Sequence, residues 1–199
     1  MCFLLLISCS TEREKRMHKS AVCLLMLMLL PAAMIFAGGS QEESTPEVSD
    51  RLAQVEPDWY VTWEFIDDEI IFTMAAPTTG WVSIGFNPSQ RMRDAAFVIG
   101  YIDNNGDVQI REDYGTGNTS HASDISLGGT EDVRVLSGTT EEGKTVITFA
   151  LPLDSGDSYD VVFTPGETYT MLLAYGPEGA QNFTARHRSR TSLEVQLNP

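Results

Sequence analysis

From residue 59 onward the chain alternates apolar and polar side chains with a period of two. Trp59, Val61, Trp63 and Phe65 fall on one side of an extended backbone and Tyr60, Thr62 and Glu64 on the other; Ile70, Phe72 and Met74 then alternate with Ile71 and Thr73. Successive side chains point to opposite faces only in a strand, so the pattern describes sheet with one buried face. The Asp67-Asp68 pair between these runs makes a short hairpin turn. Further turn clusters stand at 77–80, Asn104-Asn105-Gly106, Glu141-Glu142-Gly143 and Thr164-Pro165-Gly166. They divide the rest into predicted strands at 81–86, 95–102, 108–114, 132–136, 145–151, 159–163, 169–175 and 192–197, and no segment carries a sustained helical stripe. The expected fold is all-β, an antiparallel immunoglobulin-like β-sandwich of about ten strands. A closed barrel fits the same pattern, since counting strands does not decide closure.

The chain is expected to fall into three parts. Residues 1–37 read as a leader: Met17-His18-Lys19 is a short basic start, 21–30 an apolar run, and Ile35-Phe36-Ala37 a small-residue exit, with Met17 the possible true start. Pro31 interrupts the apolar run, which is short for a bilayer span, although an uncleaved anchor is the alternative. Leu6-Ile7-Ser8-Cys9 resembles a lipoprotein box without the usual basic region before it. Residues 38–57, rich in Gly, Ser, Glu, Thr and Pro, read as a flexible tether, and 58–199 as the folded domain. The expected location is periplasmic or extracellular, with no stable membrane span after processing.

All three cysteines lie in the leader, so the mature chain needs neither disulfides nor thiolate metal sites. The formal charge is -15, and because the leader holds four basic and two acidic residues, the remainder carries -17. Such a surface repels nucleic acid and anionic headgroups. No Gly-x-Ser-x-Gly, His-Glu-x-x-His or phosphate-cradling glycine loop is present, and the paired carboxylates fall in predicted turns. The sequence does not describe an enzyme.

Gly80-Trp81-Val82-Ser83-Ile84-Gly85-Phe86, then Met92, then Asp94-Ala95-Ala96-Phe97-Val98-Ile99-Gly100 resembles the central signature of DOMON domains, the family of the dopamine β-monooxygenase N-terminal region. Gly106-Asp107-Val108, Asp113-Tyr114, Asp124, 149–153 and 172–176 continue the series in order, so the resemblance covers about 59–197. In its cytochrome b-type branch the resemblance implies one non-covalent haem b, ligated by a methionine after the glycine-tryptophan strand and a histidine near the C-terminus. Met92 and His187 occupy those places, and no Cys-x-x-Cys-His is present for covalent attachment. Thioether and imidazole together close the iron to outside ligands and raise its reduction potential, which suits single-electron exchange with a redox partner protein in the envelope.

Met92 has polar neighbours, unlike Met74 and Met171, whose alternating strands make them core residues. His187 alone reads as part of a solvated basic loop; with the resemblance it becomes an iron ligand. Five of the nine basic residues after the leader (Arg91, Arg93, Arg186, Arg188 and Arg190) stand beside the two candidates, and guanidinium groups suit the two propionates of haem. Trp81 and Tyr175 complete the candidate haem contacts. The second reading is a haem-free module that holds a carbohydrate or similar ligand on exposed Trp81, Tyr101 or Tyr175. His121 is expected in a loop. Asp124 with Asp113 is a weak calcium signal, lacking the spacing of an EF-hand loop.

Export predicts a mature protein that begins near Gly38 and is recovered from the envelope or the medium. N-terminal sequencing that finds Met1, or an acylated Cys9, would overturn it.

Overall fold

A computed structural model describes residues 50–199; the leader and most of the tether lie outside them. Eleven strands and one helical turn are described: β1 (Leu52–Glu56), β2 (Trp59–Ile66), β3 (Glu69–Ala76), β4 (Val82–Phe86), β5 (Ala96–Ile102), β6 (Val108–Gly117), β7 (Ser120–Ser123), α1 (Asp124–Leu127), β8 (Arg134–Glu141), β9 (Lys144–Pro152), β10 (Thr168–Tyr175) and β11 (Ser189–Gln196). They form two sheets, β1-β2-β3-β9-β8 and β11-β10-β4-β5-β6-β7. Every neighbouring pair is antiparallel. The fold is the expected sandwich, open at both sheets' edges rather than closed. Among the described residues no helix is long and apolar enough to cross a membrane.

The alternation explains the core. On β2 and β3, Trp59, Val61 and Trp63 and Ile70, Phe72 and Met74 point inward, where they meet Val82, Ile84 and Phe86 of β4 and Met171 and Leu173 of β10. Phe72 is fully buried, with its ring centroid 5.4 Å from Phe86, 5.9 Å from Phe149 and 5.6 Å from Phe163. Spacings of this kind suit offset and edge-on aromatic packing.

Four sequence expectations change. First, β1 lies inside the stretch expected as a tether: Leu52, Ala53 and Gln54 pair with Thr62, Val61 and Tyr60, and the one inward side chain, Ala53, is small enough to escape notice by hydropathy. Second, 159–163 is not a strand. Its polar groups are met outside any ladder, as Tyr169 Oη accepts from Thr164 N at 2.7 Å and donates to Val162 O at 3.2 Å, while Phe163 N donates to Leu153 O at 2.8 Å. Phe163 thereby plugs the core without belonging to a sheet. Third, the polar segment after Gly115 is not one loop; it holds the edge strand β7, which carries His121, and then α1. Fourth, β8 continues to Glu141 because an edge strand with exposed side chains needs no alternation to pair.

Phe72→Ala should lower the unfolding free energy by about 3–5 kcal/mol, whereas Val162→Ala, at a side chain 56% exposed, should cost less than about 0.5 kcal/mol. Equal costs in urea denaturation would contradict this account of the core.

Candidate functional site

β5 and β10 break the alternation. Their sequences, Ala-Phe-Val-Ile-Gly-Tyr-Ile and Thr-Tyr-Thr-Met-Leu-Leu-Ala-Tyr, carry apolar side chains on both faces. Runs of this kind mark strands covered on both sides. The inner face meets the five-stranded sheet. The outer face, with Phe97, Ile99, Leu172 and Ala174, forms the floor of an open cleft of about 830 Å3, within the roughly 300–1,000 Å3 of small-molecule and cofactor sites.

Met92 and His187 both line this cleft. Met92 sits in the connection from β4 to β5, in a tight reversal where Arg91 and Asp94 take the left-handed φ values of 57° and 62°. Non-glycine residues seldom adopt these values, and hydrogen bonds hold them there. Asp94 N donates to Gly115 O, and Gly115 N to Ala95 O, each at 2.8 Å; Ala95 N donates to Met92 O at 3.2 Å. A Cβ on Gly115 would stand 1.7 Å from the Met92 carbonyl oxygen, so only glycine lets this turn rest against β6. His187 belongs to the connection from β10 to β11. That segment is tied down by Arg188 N to Tyr175 O at 2.7 Å, by Gln181 Nε2 to Ile102 O at 2.9 Å, and by Phe183, which packs between Tyr101 and the Arg111 guanidinium.

Arg190 Nη1 donates to His187 Nε2 at 3.0 Å. Burial first, then the charges of Arg190 and Arg186, hold His187 below its ordinary range, against an opposing backbone hydrogen bond. The ring is therefore neutral at neutral pH, the form that ligates a metal. Arg91, Arg186 and Arg190 line the cleft and pair with no carboxylate among the described residues. Arg93 and Arg188 do not line it; Arg188 turns to Glu178 at 3.2 Å.

The aromatic candidates separate. Trp81 lines the cleft, 5% exposed, and its buried Nε1 meets no acceptor. Tyr175 points the other way, into the core, edge-on to Trp59 with ring centroids 5.0 Å apart. Tyr101 pairs with Phe183. These three do not make an exposed platform for a sugar. His121, expected in a loop, lines the cleft as well. Its Nδ1 bonds to the buried Asp113, which Arg111 holds from the other side through Nε at 2.5 Å and Nη2 at 2.8 Å. Asp113 is therefore engaged with these two side chains. The cleft floor and His121 were missed in the sequence; the unbroken apolar runs of β5 and β10 were the available signal for the floor.

The residues fit a haem. The cleft offers a thioether, a neutral imidazole, an apolar floor, three guanidinium groups without a carboxylate partner and one orphaned buried N–H donor.

Residues 56–176 match the family model described as the DOMON domain. DBH-like monooxygenase protein 2 of Mus musculus is 26% identical over 171 residues, which is 84% of this chain and 27% of that protein. MOXD1 homolog 2 of Drosophila melanogaster is 27% identical over 127 residues, 63% of this chain and 16% of that protein. The chain thus spans about a quarter or less of these curated relatives. Among solved structures, the cytochrome b domain of pyranose dehydrogenase from Coprinopsis cinerea superposes with a TM-score of 0.51 at 16% identity, covering 69% of this chain and 75% of that one. The cytochrome domain of Myriococcum thermophilum cellobiose dehydrogenase gives 0.53 at 10% identity, covering 74% and 80%. These likenesses are likenesses of fold.

Gly115→Ala should displace the Met92 turn at a cost of about 1–3 kcal/mol while the sandwich stays folded. Amide NMR should show shifts concentrated at 89–95 and 114–116; unchanged resonances there would mean that the turn is not pinned on β6.

Proposed function

The chain belongs to the DOMON domain family, and on that premise we propose that it is a b-type cytochrome module that holds one non-covalent haem between Met92 and His187 and passes single electrons. The observation that supports this most is that these two side chains, from separate connections of the sandwich, line one cleft with an apolar floor. When bound, haem supplies a one-electron couple, and methionine with histidine as axial ligands places its potential high.

This chain's residues would do the rest. His187, kept neutral by burial and by Arg190 and Arg186, would ligate without first losing a proton, through the Nε2 that accepts from Arg190 in this structure and that Arg190 would have to release. Phe97, Ile99, Leu172 and Ala174 exclude water from the floor, and low polarity around a redox group favours its less charged state. Arg91 and Arg186, which pair with no carboxylate among the described residues, are free to pair with propionates, and Arg190 would join them on leaving His187. Trp81 Nε1 lacks an acceptor and is a further candidate donor. With Met92 and His187 both holding the iron, the site would carry electrons rather than activate oxygen, so we assign no catalysis to this module. The relatives named above are much longer, and the monooxygenase activity in the name of one of them is not transferred to it.

We further propose export by the 1–37 leader, a tether that leads into the domain, and an envelope redox partner. The charge of -15 would favour a partner with a basic docking face.

Titration of the purified protein with haem should give a six-coordinate low-spin spectrum with one equivalent bound. His187→Ala should weaken haem affinity by roughly tenfold or more, and Met92→His should keep six-coordination while lowering the reduction potential. A wild-type protein whose spectrum is that of free haem throughout the titration would end this reading.

A further inference from the structure

Three aspartates meet where the turn after β7 approaches the irregular segment after β9. Asp124 opens α1, Asp157 and Asp160 lie in that segment, and one carboxylate oxygen from each falls within 4.8 Å of the other two. None of them lines the cleft. Asp124 is 1% exposed, and neither of its oxygens has a hydrogen-bond partner. A buried carboxylate with no donor, facing two others, is an arrangement that proteins avoid unless something positive completes it.

Among the described residues, Arg111, Arg134, Lys144 and Arg188 pair with other carboxylates. Burial, followed by repulsion from Asp160, Asp157 and Glu131, pushes Asp124 up to about 6; the Ile125 amide opposes the rise without making a hydrogen bond of normal geometry. Asp160 is raised too, by burial first and then by Asp157 and Asp132, while a hydrogen bond from Ser155 opposes it.

The carboxylates are held in this arrangement. Thr130 N donates to Asp157 Oδ2 at 2.6 Å, the Thr130 hydroxyl donates to Asp132 Oδ2 at 2.6 Å, and Tyr159 N donates to Asp157 Oδ1 at 2.9 Å. Ser155 Oγ donates to Asp160 Oδ2 at 2.7 Å, and Tyr159 Oη donates to Leu127 O at 3.0 Å, tying one segment to the other. A Cβ on Gly129 would stand 2.6 Å from Asp157 Oδ2, so a glycine is needed where the segments close.

We propose that Asp124, Asp157 and Asp160 bind a hard divalent cation of the calcium type, which joins α1 to the segment after β9. All three ligands are oxygen donors, with neither imidazole nor thiolate, which selects calcium or magnesium over zinc or copper. Carboxylates on a helical turn and an irregular loop suit the variable coordination of calcium better than the strict octahedron of magnesium. The site is independent of what fills the cleft.

Calorimetric titration of the chelator-treated full chain with calcium chloride should show saturable binding of one ion and a rise in melting temperature. Asp124→Asn should weaken calcium binding at least tenfold yet melt no lower than wild type without calcium, because it removes an uncompensated buried charge. Asp160→Asn provides a second test if that variant does not fold. Absence of saturable binding, or an unchanged affinity in the folded variants, would overturn the site; magnesium binding as tightly as calcium would overturn the calcium assignment.

Discussion

The six-stranded sheet has two apolar faces, and the sandwich can cover only one of them. Val98, Met171 and Leu173 satisfy the inner face by packing on the five-stranded sheet. Phe97, Ile99, Leu172 and Ala174 have no third layer above them, only two connections that rise at the sheet's border and leave a cleft between. A concave apolar floor of this kind suits an occupant. The site is thus a consequence of how the strands are composed, and its ligand-bearing connections are walls placed around a floor that the sheet already provides.

Those walls are built from backbone hydrogen bonds more than from side-chain packing. The Met92 turn rests on β6 through Gly115, and the His187 segment is fastened to Tyr175 and Ile102. Each anchor satisfies a main-chain group that would otherwise be lost at a strand end. Positions near Met92 and His187 are therefore set by the same ladder that sets the strands, while their side chains remain at the mouth. The Arg111–Asp113–His121 chain adds a third fixed element to the cleft.

Much of this was legible in the sequence, and the exceptions have physical causes. Strands with one wet face announce themselves, as β2 and β3 do; β1 and β7, short and at sheet edges, bury too little to leave a periodic mark. The run 159–163 looks like a strand because Val161, Val162 and Phe163 are apolar, but only Phe163 is deeply buried, and a tyrosine hydroxyl takes the place of a neighbouring strand. Met92 and His187 were singled out through the family resemblance and the arginines by their clustering beside them; Met92, His187, Arg91, Arg186 and Arg190 line the cleft, and Arg93 and Arg188 do not. Trp81 and Tyr175 both flank the region in sequence, yet strand parity sends Tyr175 to the core. The partners of Asp124 lie more than thirty positions away in a loop, a distance over which no local spacing rule operates.

The two-faced sheet also makes the domain's stability a function of what surrounds it. An occupant that binds the folded cleft and not the unfolded chain adds RT ln(1 + [L]/Kd), about 2.7 kcal/mol at a hundredfold excess over Kd, a substantial share of the roughly 5–15 kcal/mol that holds an ordinary domain together. Protein made where the occupant is scarce would therefore melt earlier and spend more time unfolded than the same chain made where it is plentiful, so its abundance in the cell would follow the supply of its ligand.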